Sequence, residues 1–212
     1  MNYRACQSLP TLAEAGTWYR AVALPHSKDA LSTKHTAESA SRYNFGQGAV
    51  PQFEILYLAE NAQVALFEVE ALFGSPLKPG GLVANPTSIH WAILKVEVRL
   101  SSIVDLTDVL NAQIPLQTTA QELTGDWMGY SLRSASTRIK NPTGPAPTQQ
   151  LGAALFKRAR CEGFRTLSAK LPYHEVLSVF PQRLKKTSVI RYTFTNAAGK
   201  QCTFQIPKAP LK

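Results

Sequence analysis

The chain has 212 residues, of which 44% are hydrophobic, enough to build a sizeable core within one domain. Lysine and arginine total 23 against 14 aspartates and glutamates, a net charge of +9 that suits anionic partners such as nucleotides, nucleic acid or acidic proteins without choosing among them. Cys6, Cys161 and Cys202 lack CxxC spacing, His26, His35, His90 and His174 form no ligand pair, and there is neither a signal-peptide core nor a run of about 18 apolar residues; the expectation is a soluble cytoplasmic protein with reduced thiols, no structural metal and no membrane contact.

In chain order, "TWYRAVAL" (17–24) reads as a strand with Trp18, Arg20 and Val22 on one face and Tyr19, Ala21 and Ala23 on the other, which leaves Arg20 on an apolar side. Residues 26–48 are rich in Ser, Thr, Lys and Gly and predict a long surface loop. "FEILYLA" (53–59) predicts a strand covered on both faces, Phe53, Ile55, Tyr57 and Ala59 pointing one way and Leu56 and Leu58 the other. "NAQVALFEVEALF" (61–73) predicts a helix capped by Asn61 and stopped by Gly74 and Pro76. It carries two opposed apolar stripes, so Glu68 and Glu70 fall on its flanks.

"HWAILKVEVRL" (90–100) alternates with Ala92, Leu94, Val96, Val98 and Leu100 on its core face, and "IVDL" extends it. A helix is expected near residues 117–123, then the proline-rich connector "NPTGPAP" (141–147). "TQQLGAALFKRARCEG" (148–163) predicts a helix capped by Thr148 and stopped at Gly163. "FRTLSA" and "EVLSVF" read as strands, and "VIRYTFTNAAGKQCTFQI" (189–206) as a hairpin turning at Asn196 to Gly199. The expected class is α+β, a mixed sheet with flanking helices, forming a single domain over 1–212 with a core of about 15–184 and a C-terminal hairpin extension over 185–212. Irregular alternation and the absence of GxGxxG or GxxxxGK[ST] disfavour the common nucleotide folds.

Several side chains could carry chemistry, each with a plainer alternative. Glu68 and Glu70 could be solvated helix flanks, although a helix covered on two sides leaves them little water and asks for a cation, hydrogen bonds or a catalytic duty. Arg42 could be an ordinary loop arginine, Arg20 half of an ion pair, Tyr57 a core aromatic and Ser168 a turn residue.

Their order and spacing resemble the RES domain family, named for Arg, Glu and Ser. "YR" (19–20), "SRYN" (41–44) and "YLAENAQVALFE" (57–68) follow one another as its early blocks do, and "SSIVDLTD" (101–108), "PTQQLGAAL" (147–155), "EGFRTLSAK" (162–170) and "EVLSVFPQRL" (175–184) as its later ones. The likeness spans roughly residues 17–184, with Ala40 and Ser41 standing where glycines commonly precede the turn arginine.

That resemblance implies an ADP-ribosyltransferase-like fold and the toxin half of a bacterial toxin–antitoxin pair, with NAD as substrate and no bound cofactor. The expected reaction is hydrolysis of NAD or, with inorganic phosphate as co-substrate, phosphorolysis; ADP-ribosyl transfer is the alternative. It implies catalytic roles for Glu68, Arg42 and Ser168 and substrate contacts from Arg20, Tyr57, Tyr43 and Asn44. The implied partner is a cognate Xre-type antitoxin, through which alone nucleic acid would be met; oligomeric state, a homo-oligomer included, is left open. The rival of another class is a basic nucleic-acid-binding module, against which the dense runs "KRAR" (157–160) and "RLKK" (183–186) read more simply as solvated ends of elements.

Overall fold

Strict alternation of apolar and polar residues over Trp91–Asp105 produces the longest strand, β5: Leu94, Val96, Val98 and Leu100 are buried, while Ile93, Lys95, Glu97 and Arg99 are exposed. The computed structural model describes residues 1–48, 51–74, 81–86, 89–128, 130, 144–195 and 199–207. Strand β1 (Leu12–Ala23) lies antiparallel along β5, from Leu12 opposite Ile103 to Ala23 opposite Trp91. The far edge of β1 touches β2 (Leu56–Ala59) through one registered pair, Tyr19 with Ala59.

Pairing then continues around a closed circuit. β2 pairs with β7 (Glu175–Val179), β7 with β6 (Gly163–Leu167), and β6 runs parallel to the end of β5, Ile103 opposite Gly163. The ring β1–β2–β7–β6–β5 therefore returns to its first strand. β8 (Val189–Thr195) adds to β5 and β9 (Gln201–Ile206) to β8, so the C-terminal hairpin extends this sheet and buries Ile190 and Tyr192 in its core. β3 (Leu72–Gly74) and β4 (Leu82–Ala84) form a small separate hairpin.

One face of the strands gathers Trp18, Leu56, Leu58, Leu94, Val96, Val98, Leu100, Leu177 and Val179 into a single cluster. The opposite face is covered by helices. Helix α1 (Ala62–Glu68) sets Val64, Ala65 and Phe67 against Ala21, Ala59 and Val176. Helices α2 (Ile114–Leu116), α3 (Ala120–Leu123) and α4 (Pro147–Lys157) close a second cluster over Tyr43, Phe53, Ile55, Phe164 and Phe180. Seven residues are too few for a helix to hold alone, so α1 depends on that burial, about 1.5–3 kcal/mol for each large side chain, and on Asn61, whose Oδ1 accepts from Val64 N at 2.9 Å.

Helix boundaries depart from expectation in three places. α1 stops at Glu68 rather than near residue 73, because Glu70 adopts a left-handed conformation (φ 57) and the chain turns back: Glu70 N donates to Phe67 O and Ala71 N to Leu66 O, a Schellman closure. Glu68 thus sits on the last helical turn, and Glu70 lies beyond the helix instead of on its second flank. Gln117, also left-handed (φ 52), ends α2, so the helix expected over 117–123 begins only at Ala120, under a capping box between Thr119 and Glu122. α4 starts two residues early, with Ala146 rather than Thr148 at the cap and Pro147 in the first turn, and ends at Lys157. Residues 141–143 of the connector and 196–198 of the hairpin turn lie outside the described residues.

A glutamate at the left-handed cap position is costly, and its exposed ion pair with Lys170 (2.6 Å) returns little. Glu70→Gly is expected to stabilise the fold by about 0.5–1 kcal/mol, a rise of roughly 1–4 °C in the unfolding midpoint. Thermal denaturation checks this, and a fall in midpoint would mean that the Lys170 pair outweighs the backbone strain.

Candidate active site

The turn at 41–44 is built before it can present anything. Asn44 is fully buried, its Nδ2 donating to Thr36 O (2.6 Å) and Phe53 O (2.8 Å) and its Oδ1 accepting from Gly46 N (3.1 Å). Every polar atom of that side chain is engaged inside the loop, where it shapes the turn, and Asn44, expected as a substrate contact, does not line the cavity described below. Helix α4 holds the turn from behind. Gln149 Nε2 donates to Ser41 O (3.0 Å) and Asn44 O (3.1 Å), and Gly152 lets the helix approach so closely that an added Cβ would lie 2.0 Å from Tyr43 O.

From this turn Arg42 and Tyr43 reach toward the end of α3, both donating to Leu123 O, Arg42 Nη1 at 3.4 Å and Tyr43 Oη at 3.1 Å. Tyr43 is 1% exposed and also meets Thr166 Oγ1 (3.1 Å); burial pushes its phenol pKa up, so it stays protonated. Tyr57, from β2, hydrogen-bonds Ser41 Oγ through its hydroxyl at 2.8 Å, and burial raises its pKa as well. Ser41 thus ties the turn to the strand.

Arg20 enters from β1, where β1 and β2 separate beyond their single pair, and its Nη1 donates to Tyr57 O at 2.9 Å. Its Nε is buried with no partner, and no carboxylate pairs with it among the described residues. Desolvation lowers its pKa to about 10, which still leaves a full positive charge at neutral pH. An uncompensated, largely desolvated guanidinium is a site prepared for an anion.

Glu68 is fixed by Ser168. Ser168 Oγ accepts from Lys170 N (3.2 Å) and Leu171 N (3.0 Å), which occupies its lone pairs and directs its hydrogen to Glu68 Oε1 at 2.5 Å. Ser168 is 2% exposed and is absent from the cavity wall; its hydroxyl faces the Glu68 carboxylate and orients it.

These side chains share one cavity of about 560 Å³, walled by Arg20, Arg42, Tyr43, Tyr57 and Glu68. Thr166 and Lys170 line it too, as does the segment from Thr124 to Met128 that follows α3. Pattern reading missed Trp127 and its neighbours, since "LTGDWM" has neither strand nor helix periodicity; its place directly after the Thr119–Glu122 capping box was the available signal. Among the described residues no cluster of three or more His, Cys, Asp or Glu could hold a metal ion, and no helix is long and apolar enough to cross a membrane.

No curated protein matches the chain. A solved structure, "Crystal structure of the M.tuberculosis MbcT-MbcA toxin-antitoxin complex", contains a chain similar in fold, with a TM-score of 0.56 and 17% sequence identity over 96% of this chain and 91% of that one. The family model described as RES domain matches residues 17–196, which contain the turn arginine, the helix-end glutamate and the serine that holds it, and the chain belongs to the RES domain family.

Proposed function

We propose that this protein is a toxin that destroys NAD by breaking the bond between nicotinamide and ribose, on an ADP-ribosyltransferase-like scaffold. The observation that carries the reading is the Glu68 carboxylate, fixed by Ser168 at 2.5 Å in the same cavity as Arg20 and Arg42. Nicotinamide in NAD is a cationic leaving group, so its departure needs no general acid; the electron pair of the C–N bond goes to the ring nitrogen, and positive charge gathers on the ribose. A preorganised carboxylate stabilises that charge by roughly 3 kcal/mol. Water then adds at the ribose carbon and releases a proton, giving ADP-ribose, or phosphate adds and gives its phosphate ester.

Arg20 and Arg42 hold the pyrophosphate, guanidinium forks matching phosphate oxygens. The desolvation that depresses Arg20 is relieved by such an anion. Tyr57 offers a flat face to the cationic nicotinamide, worth about 0.5–2 kcal/mol. The similar chain comes from a toxin–antitoxin complex, and the net charge of +9 suits an antitoxin that places an acidic stretch in this cavity.

Purified protein incubated with NAD, with and without phosphate, and followed by mass spectrometry tests the reading. Free ADP-ribose indicates hydrolysis, its phosphate ester phosphorolysis, and a mass increase on an added protein the alternative of ADP-ribosyl transfer. Intact NAD under all these conditions would reject the proposal.

A further inference from the structure

Two basic stretches far apart in sequence meet in the fold. Lys157 ends α4 and Arg158 and Arg160 follow it, while Arg183, Lys185 and Lys186 follow β7. The Arg183 guanidinium lies 4.5 Å from the centre of the Phe156 ring, immediately before Lys157. Lys185 N donates to Glu162 Oε1 at 2.9 Å, two residues after Arg160. The carboxylate of Glu162 is fully buried and accepts further hydrogen bonds from Ser101 and Ser102, so it is spent on joining the segments rather than on neutralising side chains outside.

None of these six cations makes an ion pair among the described residues, where the acidic groups in salt bridges are taken by Arg165, Lys170, His174 and Arg191. Lys157, Arg160 and Lys186 are exposed. Attraction to the carboxyl end of a helix explains Lys157 and Arg158 but not the second run. None of the six lines the active-site cavity.

We propose that this face binds the phosphate backbone of nucleic acid directly, without reading bases. The choice of nucleic acid over an acidic protein rests on what the face lacks. A protein interface needs a desolvated centre of aromatic or aliphatic side chains, and neither segment that supplies the cations, 153–163 or 180–190, carries a large exposed apolar side chain. Phosphate contacts need only arginine and lysine, and they carry no sequence information. The inference is independent of the cavity and of the reaction assigned to it.

Fluorescence anisotropy with a labelled duplex of about 20 base pairs, titrated in roughly 50 to 200 mM salt, tests the proposal. About five phosphate contacts give a log–log salt slope near −4.5, the same for unrelated sequences. The triple variant Lys157→Ser, Arg160→Ser, Lys186→Ser should make the slope shallower by about 3 while the unfolding midpoint stays unchanged. Absence of salt-dependent binding, or an unchanged slope in the variant, would overturn it. So would tighter binding of polyglutamate than of the duplex, lost in the same variant, since that would assign the face to an acidic protein. NAD is absent from every arm, so neither result depends on the proposed enzymatic activity.

Discussion

Replacing Glu68 with glutamine is expected to reduce NAD cleavage about 100- to 1,000-fold, with KM within a few-fold of the wild type and little change in stability. The substitution keeps volume and an oxygen that can accept from Ser168 Oγ, so the 2.5 Å contact that fixes the side chain has a replacement. What disappears is the negative charge opposite the developing ribose cation, an interaction stronger in the transition state than in bound NAD, and the loss therefore belongs in kcat. Steady-state kinetics with a thermal melt on the same preparation checks both halves. Turnover equal to wild type would remove Glu68 from the chemistry; a large fall in the unfolding midpoint would make its role structural.

The second large effect comes from a residue that touches no substrate. Helix propensity alone says that Gly152→Ala should stabilise α4 by about 1 kcal/mol. The structure reverses the sign. An added Cβ would stand 2.0 Å from Tyr43 O and 2.8 Å from Tyr43 C, backbone atoms that can move only if the whole turn moves. Overpacking of this kind costs about 1–3 kcal/mol, and a fall of roughly 2–12 °C in the unfolding midpoint is expected. Since the displaced turn carries Arg42 and Ser41, weaker NAD binding should accompany the lost stability, read by calorimetric titration of the folded variant. A variant as stable as wild type would mean that the close approach between helix and turn is not rigid.

Strands were the most legible part of this sequence, because alternation survives wherever one face is buried: Leu94, Val96, Val98 and Leu100 in β5 fall where period two places them. The split of Phe53, Ile55 and Tyr57 from Leu56 and Leu58 also appears as membership of opposite clusters. Helix ends were less legible, since the stops are glutamate and glutamine in left-handed geometry, at Glu70 and Gln117, where composition signals only glycine or asparagine. In the candidate site, the family resemblance named Arg20, Arg42, Tyr43, Tyr57 and Glu68, which the fold brings to one cavity, but not how the side chains contact one another. Nothing in "TLSAK" says that Ser168 Oγ is enclosed by two backbone N–H groups and aimed at Glu68, nor does "SRYN" say that Asn44 turns inward. Those facts depend on contacts between segments that the chain brings together only on folding.

The circuit of strands bears on how the molecule comes into being. Leu56 pairs with Val179 and Tyr19 with Ala59, so the early strands wait for late ones before the circuit can shut. Pairings this distant along the chain make a fold slow to form, since the entropy of closing long loops is lost before the contacts that reward it exist. Arg20, Tyr57 and Glu68 also meet Ser168 and Thr166 only after these segments have left the ribosome. A partly synthesised chain therefore lacks the complete cleft, and under the proposed function a translating cell would have an interval between making the polypeptide and meeting its activity.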